Sequence, residues 1–221
     1  MTISNSKQAT LYGSVRDEIH RRLTAADWTA ALDGNPDPDS WVLGDFRRPL
    51  TEDFWAMAFF MRRTFSGREE YLDVSGCIGI AYLPAYRLWR LLGALDESDL
   101  AFDIGTLQDP PVDLMTLTVR EREEVNRAVD VLVSPILERG VRRLRQYANV
   151  DAILNHYREN PNFEVDMRAV PTVLAAAGRY DQAWSALADF TGTDREEVET
   201  PEYMQFAERL TRWIDSSRSG G

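Results

Sequence analysis

Apolar residues recur every four positions near the start of the chain, at Leu11, Val15, Ile19 and Leu23. Arg16, Asp17, Glu18, Arg21 and Arg22 fill the gaps, so the stretch predicts an amphipathic helix. Thr24, with Asp27 three residues later, predicts a short second turn ending near Leu32. Asp33 to Asp39 holds two prolines, a glycine and no apolar side chain, which makes it a loop.

The spacing then changes. Trp41 to Phe46, Phe54 to Phe65 and Tyr71 to Leu83 read as strands, with Ser66 to Glu70 as a hairpin loop containing a glycine. In the second strand Trp55, Met57, Phe59 and Met61 share one face, and Ala56 and Ala58 the other. In the third, Val74, Gly76, Ile78, Ile80 and Tyr82 alternate with Asp73, Ser75, Cys77, Gly79 and Ala81. Both faces are largely apolar, which predicts a central hairpin. A face of small residues lets a helix sit close, and it can also floor a ligand groove.

Pro84 suits a helix start, continued by Tyr86 to Leu95. Leu100 to Leu107 and Leu114 to Val119 read as further strands around the turn Asp109 to Asp113. From Arg120 the pattern is helical. Val125, Val129, Leu132 and Ile136 share a face, and Ser134-Pro135 either opens a new helix or kinks a continuous one. Arg139 to Tyr147 continues, Asn149 ends it, Asp151 starts Ala152 to Asn160, and Pro161 closes that segment. Leu174 to Ala183 reads as the turn of a helical hairpin, with Gly178 as left-handed cap, Tyr180 wedged between the helices and Ala183 allowing close approach. Thr193 to Glu196 is a capping-box pattern, and Thr200-Pro201 starts a last helix with the stripe Tyr203, Phe206, Leu210, Trp213 and Ile214. The expected fold is α+β: an N-terminal helix on an antiparallel sheet of four or five strands, over residues 1–119, followed by a helical half over 120–221, the two forming either separate regions or one continuous domain.

Charge sharpens this picture. Asp and Glu outnumber Lys and Arg 36 to 25, for a net charge of −11, which opposes general binding to nucleic acid or anionic membrane. Lys7 is the sole lysine and follows no glycine-rich loop, which excludes a standard P-loop and makes Schiff-base chemistry improbable. A GC-rich genome explains the arginine bias without any functional meaning. There is no leading apolar run and no stretch of about 20 apolar residues for a bilayer. One cysteine cannot close an internal disulfide, so a cytoplasmic protein without membrane association is expected.

Catalytic motifs are missing: no HExxH, no CxxC pair, no GxSxG elbow and no GxGxxG after a strand. Cys77 lies mid-strand among small residues and reads as a buried thiol rather than a nucleophile. His20 and His156 fall on separate helices, the first as an exposed residue and the second as a surface or interhelix residue. No catalytic residue, metal site or cofactor is expected.

Two acidic stretches stand out, one containing Asp96, Glu97, Asp99, Asp103, Asp109, Asp113, Glu121, Glu123 and Glu124, the other Asp194 to Glu202. Arg139, Arg142, Arg143 and Arg145 make one basic segment that either pairs internally or holds an anion. An acidic surface favours a basic protein partner, with Asp96, Glu97, Asp99, Asp103, Glu121, Glu123 and Glu124 as contact residues. The alternative is a small-molecule binder or enzyme with a groove over the small-residue face, where Arg62, Arg63, Arg87 and Arg90 bind an anion.

The Leu174-Ala-Ala-Ala-Gly-Arg-Tyr-Asp-Gln-Ala183 turn resembles the inner turn of a tetratricopeptide repeat, without a second copy at the roughly 34-residue period of such arrays. The leading helix, the hairpin ending Gly79-Ile-Ala-Tyr-Leu-Pro84, and Val129-x-x-Leu-Val-Ser-Pro135-Ile-Leu-Glu138 resemble small bacterial α+β domains of unknown function over Leu11 to Asn160. Some of those domains lie in toxin-immunity neighbourhoods. The resemblance implies a non-enzymatic, immunity-like or regulatory binding module and carries over no catalytic residue.

Overall fold

The computed structural model describes residues 6–30, 42–63, 71–93, 101–105, 115–159, 168–191 and 201–219. The first elements are α1 (Ser6–Thr24), β1 (Thr29–Ala30), β2 (Val42–Pro49), β3 (Phe54–Arg62) and β4 (Leu72–Tyr82). Then come α2 (Leu83–Leu91), β5 (Ala101–Gly105), β6 (Met115–Val119) and α3 (Val125–Pro135). A π-helical turn (Ile136–Gly140) joins α3 to α4 (Val141–Leu144). The last helices are α5 (Val150–Glu159), α6 (Ala169–Ala176), α7 (Tyr180–Thr191) and α8 (Pro201–Ser219). This is the α+β arrangement that the spacing of apolar residues predicts. The hairpin loop at Ser66–Glu70, the loop at Asp33–Asp39, and the Thr193 capping box lie outside the described residues.

The chain divides into two compact units, Met1–Ile80 with Asp103–Gln146, and Ala81–Phe102 with Tyr147–Gly221. A division at residue 119 therefore cuts through the first unit, because residues 120–146 group with the sheet.

In the first unit α1 buries Leu11, Val15, Ile19 and Leu23 as its four-residue repeat requires, and the Tyr12 hydroxyl donates to the Val42 carbonyl at 2.8 Å. The expected second turn after Thr24 does not form. Asp27 instead takes a left-handed conformation, φ 63°. The Trp28 N–H then reaches Leu23 O at 3.0 Å and the Asp27 N–H reaches Thr24 O at 3.2 Å. That pair of bonds closes the helix as a glycine cap would. It drops the fully buried Trp28 into the core and releases β1 to pair with β2, Thr29 opposite Arg47 and Ala30 opposite Phe46.

The sheet has six strands in the order β1-β2-β3-β4-β5, with β6 also paired to β4 from Leu72↔Val119 to Gly76↔Met115. The two-residue β1 is the addition to the strands expected from sequence. Register explains why both faces of the β3–β4 hairpin are apolar. Phe46 lies opposite Ala58, and Gly44 opposite Phe60. A Cβ on Gly76 would stand 3.0 Å from the Phe60 ring, which puts Val74, Ile78 and Ile80 on the same face by parity. Small residues of β3 therefore stand beside large ones of β4. On the other face Trp55, Met57, Phe59 and Met61 stand beside Ser75, Cys77, Gly79 and Ala81. Ala56, Ala58, Ser75, Cys77, Gly79 and Ala81 are all buried, so the small positions are filled by neighbouring bulk.

Helix α3 buries Val125, Ala128, Val129, Leu132 and Val133 and packs on α1 and β6. Pro135 neither opens a new helix nor stops the old one. It has no N–H to give to Val131 O, and the chain widens into the π-turn directly after it. Ile136, Gly140 and Leu144 keep the inner face continuous across that turn.

In the second unit α2 packs on α6, and α6 on α7. Trp89, fully buried, meets Phe206 of α8 at 5.8 Å, with the Arg168 guanidinium 5.0 Å above its ring. The Gly178 turn forms as predicted: φ is 73°, Arg179 N–H reaches Leu174 O and Gly178 N–H reaches Ala175 O, both at 2.9 Å. Ala183 is fully buried against α6. Tyr180, expected between the two helices, has its ring on Trp213 of α8 at 6.2 Å. Asn149 opens α5 instead of ending the previous helix, because its Oδ1 accepts from Ala152 N–H at 2.8 Å. Asp151 is thereby free for a bidentate pair with Arg179 at 2.5 and 2.9 Å. No described helix is long and apolar enough to cross a membrane.

Candidate binding surfaces

The acidic residues singled out from sequence divide three ways. Asp96, Glu97 and Asp99 lie outside the described residues, and of Asp103 only its place in β5 is described. Glu121 accepts from the Lys7 ammonium at 2.9 Å. Glu124 accepts the backbone N–H groups of Arg120 at 2.6 Å and Glu121 at 3.2 Å. Those two bonds hold its carboxyl below the usual carboxylate range, with the positive charges of Arg120 and Arg127 adding to the effect. Two of the three described acids thus serve the start of the α3 run, and Glu123 remains exposed.

The arginines proposed to bind an anion belong to different units. Arg62 is half-buried at the end of β3, and Arg63, just beyond it, is exposed. Arg87 and Arg90 are exposed on α2 in the second unit. Cys77 is buried. His20 is exposed, 5.8 Å from the Phe46 ring, and His156 is buried edge-on to Tyr147 at 5.2 Å, an interhelix residue. Among the described residues no group of three or more His, Cys, Asp or Glu is placed to hold a metal ion.

Several other charges among the described residues are matched. Glu18 takes Arg21 and Arg22, and Arg22 also reaches Asp130 across the α1–α3 contact. These guanidiniums lower the Glu18 carboxyl to about 2. Arg218 pairs with Asp181, and Arg212 with Glu208.

The segment after the π-turn breaks that pattern. Arg139, Arg142 and Arg145 are exposed and Arg143 is half-buried. Among the described residues, none forms a hydrogen bond, ion pair or ring contact with these four side chains. Internal pairing, one of the two expectations for this segment, is not seen among the described residues, and most of the two acidic stretches lies outside them. The same α3–α4 run exposes two large apolar side chains, Val131 at 39% and Leu137 at 38%. Sequence spacing located the arginines. It did not single out Val131 and Leu137, because an apolar residue inside a helical run reads as core until the packing is known.

A second feature is a groove of about 540 Å³ between α5, α6 and α7. Leu154, Val170, Leu174 and Ala186 form its apolar wall, and Arg158, Gln182 and Ser185 are its polar members. No sequence motif pointed to it, since its residues come from three helices.

No protein-family model matches this chain, no curated protein matches it, and no solved structure matches its fold.

Proposed function

We propose that the protein is a binding module for another protein, working without catalytic chemistry, and that the outer face of the α3–α4 run is its contact surface. The observation that carries this reading is the set Arg139, Arg142, Arg143 and Arg145, unpaired among the described residues on a helical run that also exposes Val131 and Leu137. A guanidinium with no partner among the described residues, on a chain of net charge −11, suits bidentate carboxylate contacts. Apolar side chains exposed on the same run suit the desolvated centre that protein interfaces use. The partner surface is accordingly acidic. This partner differs in charge from the basic one expected from the acidic stretches, because local charge, not the total, decides what a contact surface meets.

The test is site-specific photo-crosslinking from position 137 in lysate of the source organism, repeated with Arg139→Glu/Arg142→Glu. The reading expects a discrete protein adduct with the native chain that is lost on charge reversal and weakened by salt. Adducts indifferent to the charge reversal, or an adduct with nucleic acid, would overturn it.

A further inference from the structure

The groove in the second unit has the composition of a ligand site. Its wall is aliphatic: Leu154 of α5, Val170 and Leu174 of α6, and Ala186 of α7. Leu154, Val170 and Ala186 keep part of their surface open. Its polar members can each donate: the Arg158 guanidinium, which only donates, and the Gln182 amide and Ser185 hydroxyl, which also accept. Gln182 and Ser185 are three residues apart on α7 and so share a face.

Arg158 is held but not neutralised. Its Nη1 donates to Asn155 Oδ1 at 2.9 Å, a neutral acceptor one turn back. Among the described residues no carboxylate pairs with it. Of the acids on these helices, Asp151 of α5 is engaged by Arg179 and Asp181 of α7 by Arg218, while Glu159 of α5 is exposed and does not pair with Arg158. A positive group with free donors at the edge of an aliphatic trough is complementary to one negative head on an apolar body. The volume of about 540 Å³ lies within the range of small-molecule sites, roughly 300–1,000 Å³.

We infer that the α5–α6–α7 groove binds a small aliphatic carboxylate, with the carboxylate on Arg158 and the hydrocarbon along Leu154, Val170 and Leu174. This site is separate from the arginine face of the first unit, and neither depends on the other.

The experiment titrates the full chain with octanoate and follows methyl resonances of Leu154, Val170 and Leu174 by NMR. Octanol serves as the uncharged analogue and acetate as the head without the body. Saturable shifts at these methyls with octanoate, weakened at least tenfold with octanol or acetate, are expected. Arg158→Gln is expected to weaken octanoate about tenfold. Ser185→Trp, which fills the groove from an exposed position, is expected to abolish it, while Arg139→Glu/Arg142→Glu leaves it unchanged. Octanol binding as tightly as octanoate, shifts spread over both units, or titration unaffected by Ser185→Trp would each overturn the inference.

Discussion

Arg209 of α8 stands 2.6 Å from the position a Cβ would occupy on Gly93, while donating from Nη1 to the neighbouring Leu92 carbonyl at 2.7 Å. The carbonyls at the end of α2 have no intrahelical donors, and this guanidinium supplies one. Gly93 has φ 71°, a left-handed conformation that ends the helix. One small residue therefore serves both the backbone turn and the approach of a side chain more than a hundred positions later.

Comparing the two left-handed glycines separates these contributions. Gly178 has the same backbone conformation with nothing within 4 Å of a would-be Cβ. Gly178→Ala is expected to cost about 1 kcal/mol from backbone strain. Gly93→Ala is expected to cost about 2 kcal/mol, since it also displaces Arg209. Urea unfolding followed by far-UV circular dichroism measures both. Equal losses would show that the Arg209 contact adds nothing.

The chain should lose stability in acid through Glu18. Its folded-state carboxyl is lowered to about 2 by Arg21 and Arg22, against an ordinary value of 4.5. The stabilisation is thus fully present above about 4.5 and disappears as the pH falls toward 2. Glu18→Gln is expected to cost about 1 kcal/mol at pH 7, reduced by solvent around the pair, and little at pH 2.5. Thermal unfolding across that range tests it, and a loss independent of pH would contradict the assignment.

Asp45 is expected to behave in the opposite sense. Burial raises its carboxyl above the ordinary range, and Arg47 at 3.5 Å offsets this only in part. The folded state then holds a proton more tightly than the unfolded chain does, so this residue's contribution falls as the pH rises past the usual carboxylate range. Asp45→Asn should raise the unfolding midpoint at pH 7, with the gain shrinking toward pH 3. A midpoint lowered at pH 7 would mean that pairing with Arg47 outweighs burial.

The fully buried Leu210 on α8 offers a packing test. Its removal leaves a cavity that the helix cannot close, so Leu210→Ala is expected to cost about 3 kcal/mol. Met204→Ala on the same helix, 58% exposed, is expected to cost under about 0.5 kcal/mol. Comparable losses would mean that α8 is not docked along the Tyr203–Phe206–Leu210–Ile214 stripe.

Much of this fold is readable from periodicity, since α1 buries the positions that its spacing selects and α8 buries all of its stripe but Trp213, whereas in β3 the small face is buried more fully than the bulky Trp55, Phe59 and Met61. The departures have local causes. Asp27 reads as a cap for another turn because aspartate so often starts helices, yet it is the left-handed residue that ends one. Asn149 reads as a terminator because asparagine tolerates the left-handed turn that ends helices, and it is a starter. The candidate surfaces were only half legible. Arginine spacing is visible along the chain, but whether an arginine is matched depends on which acids the fold brings near. Composition could not reveal that, among the described residues, Glu121 and Glu124 are occupied while Arg139 and Arg142 are not.

The division of the chain also has a consequence for how it is made. Residues of each unit are separated in sequence by residues of the other. The pairing of Asp73 with Thr118 joins positions 45 apart, across the residues that the second unit claims. During synthesis β4 therefore emerges well before β6, its partner along Leu72–Gly76, exists. No single cleavage of the polypeptide can release either unit with all its strands and helices. Proteolysis at any one site should yield fragments that remain associated or lose structure together, and a gene split into two halves would have to be re-expressed as complementing pieces.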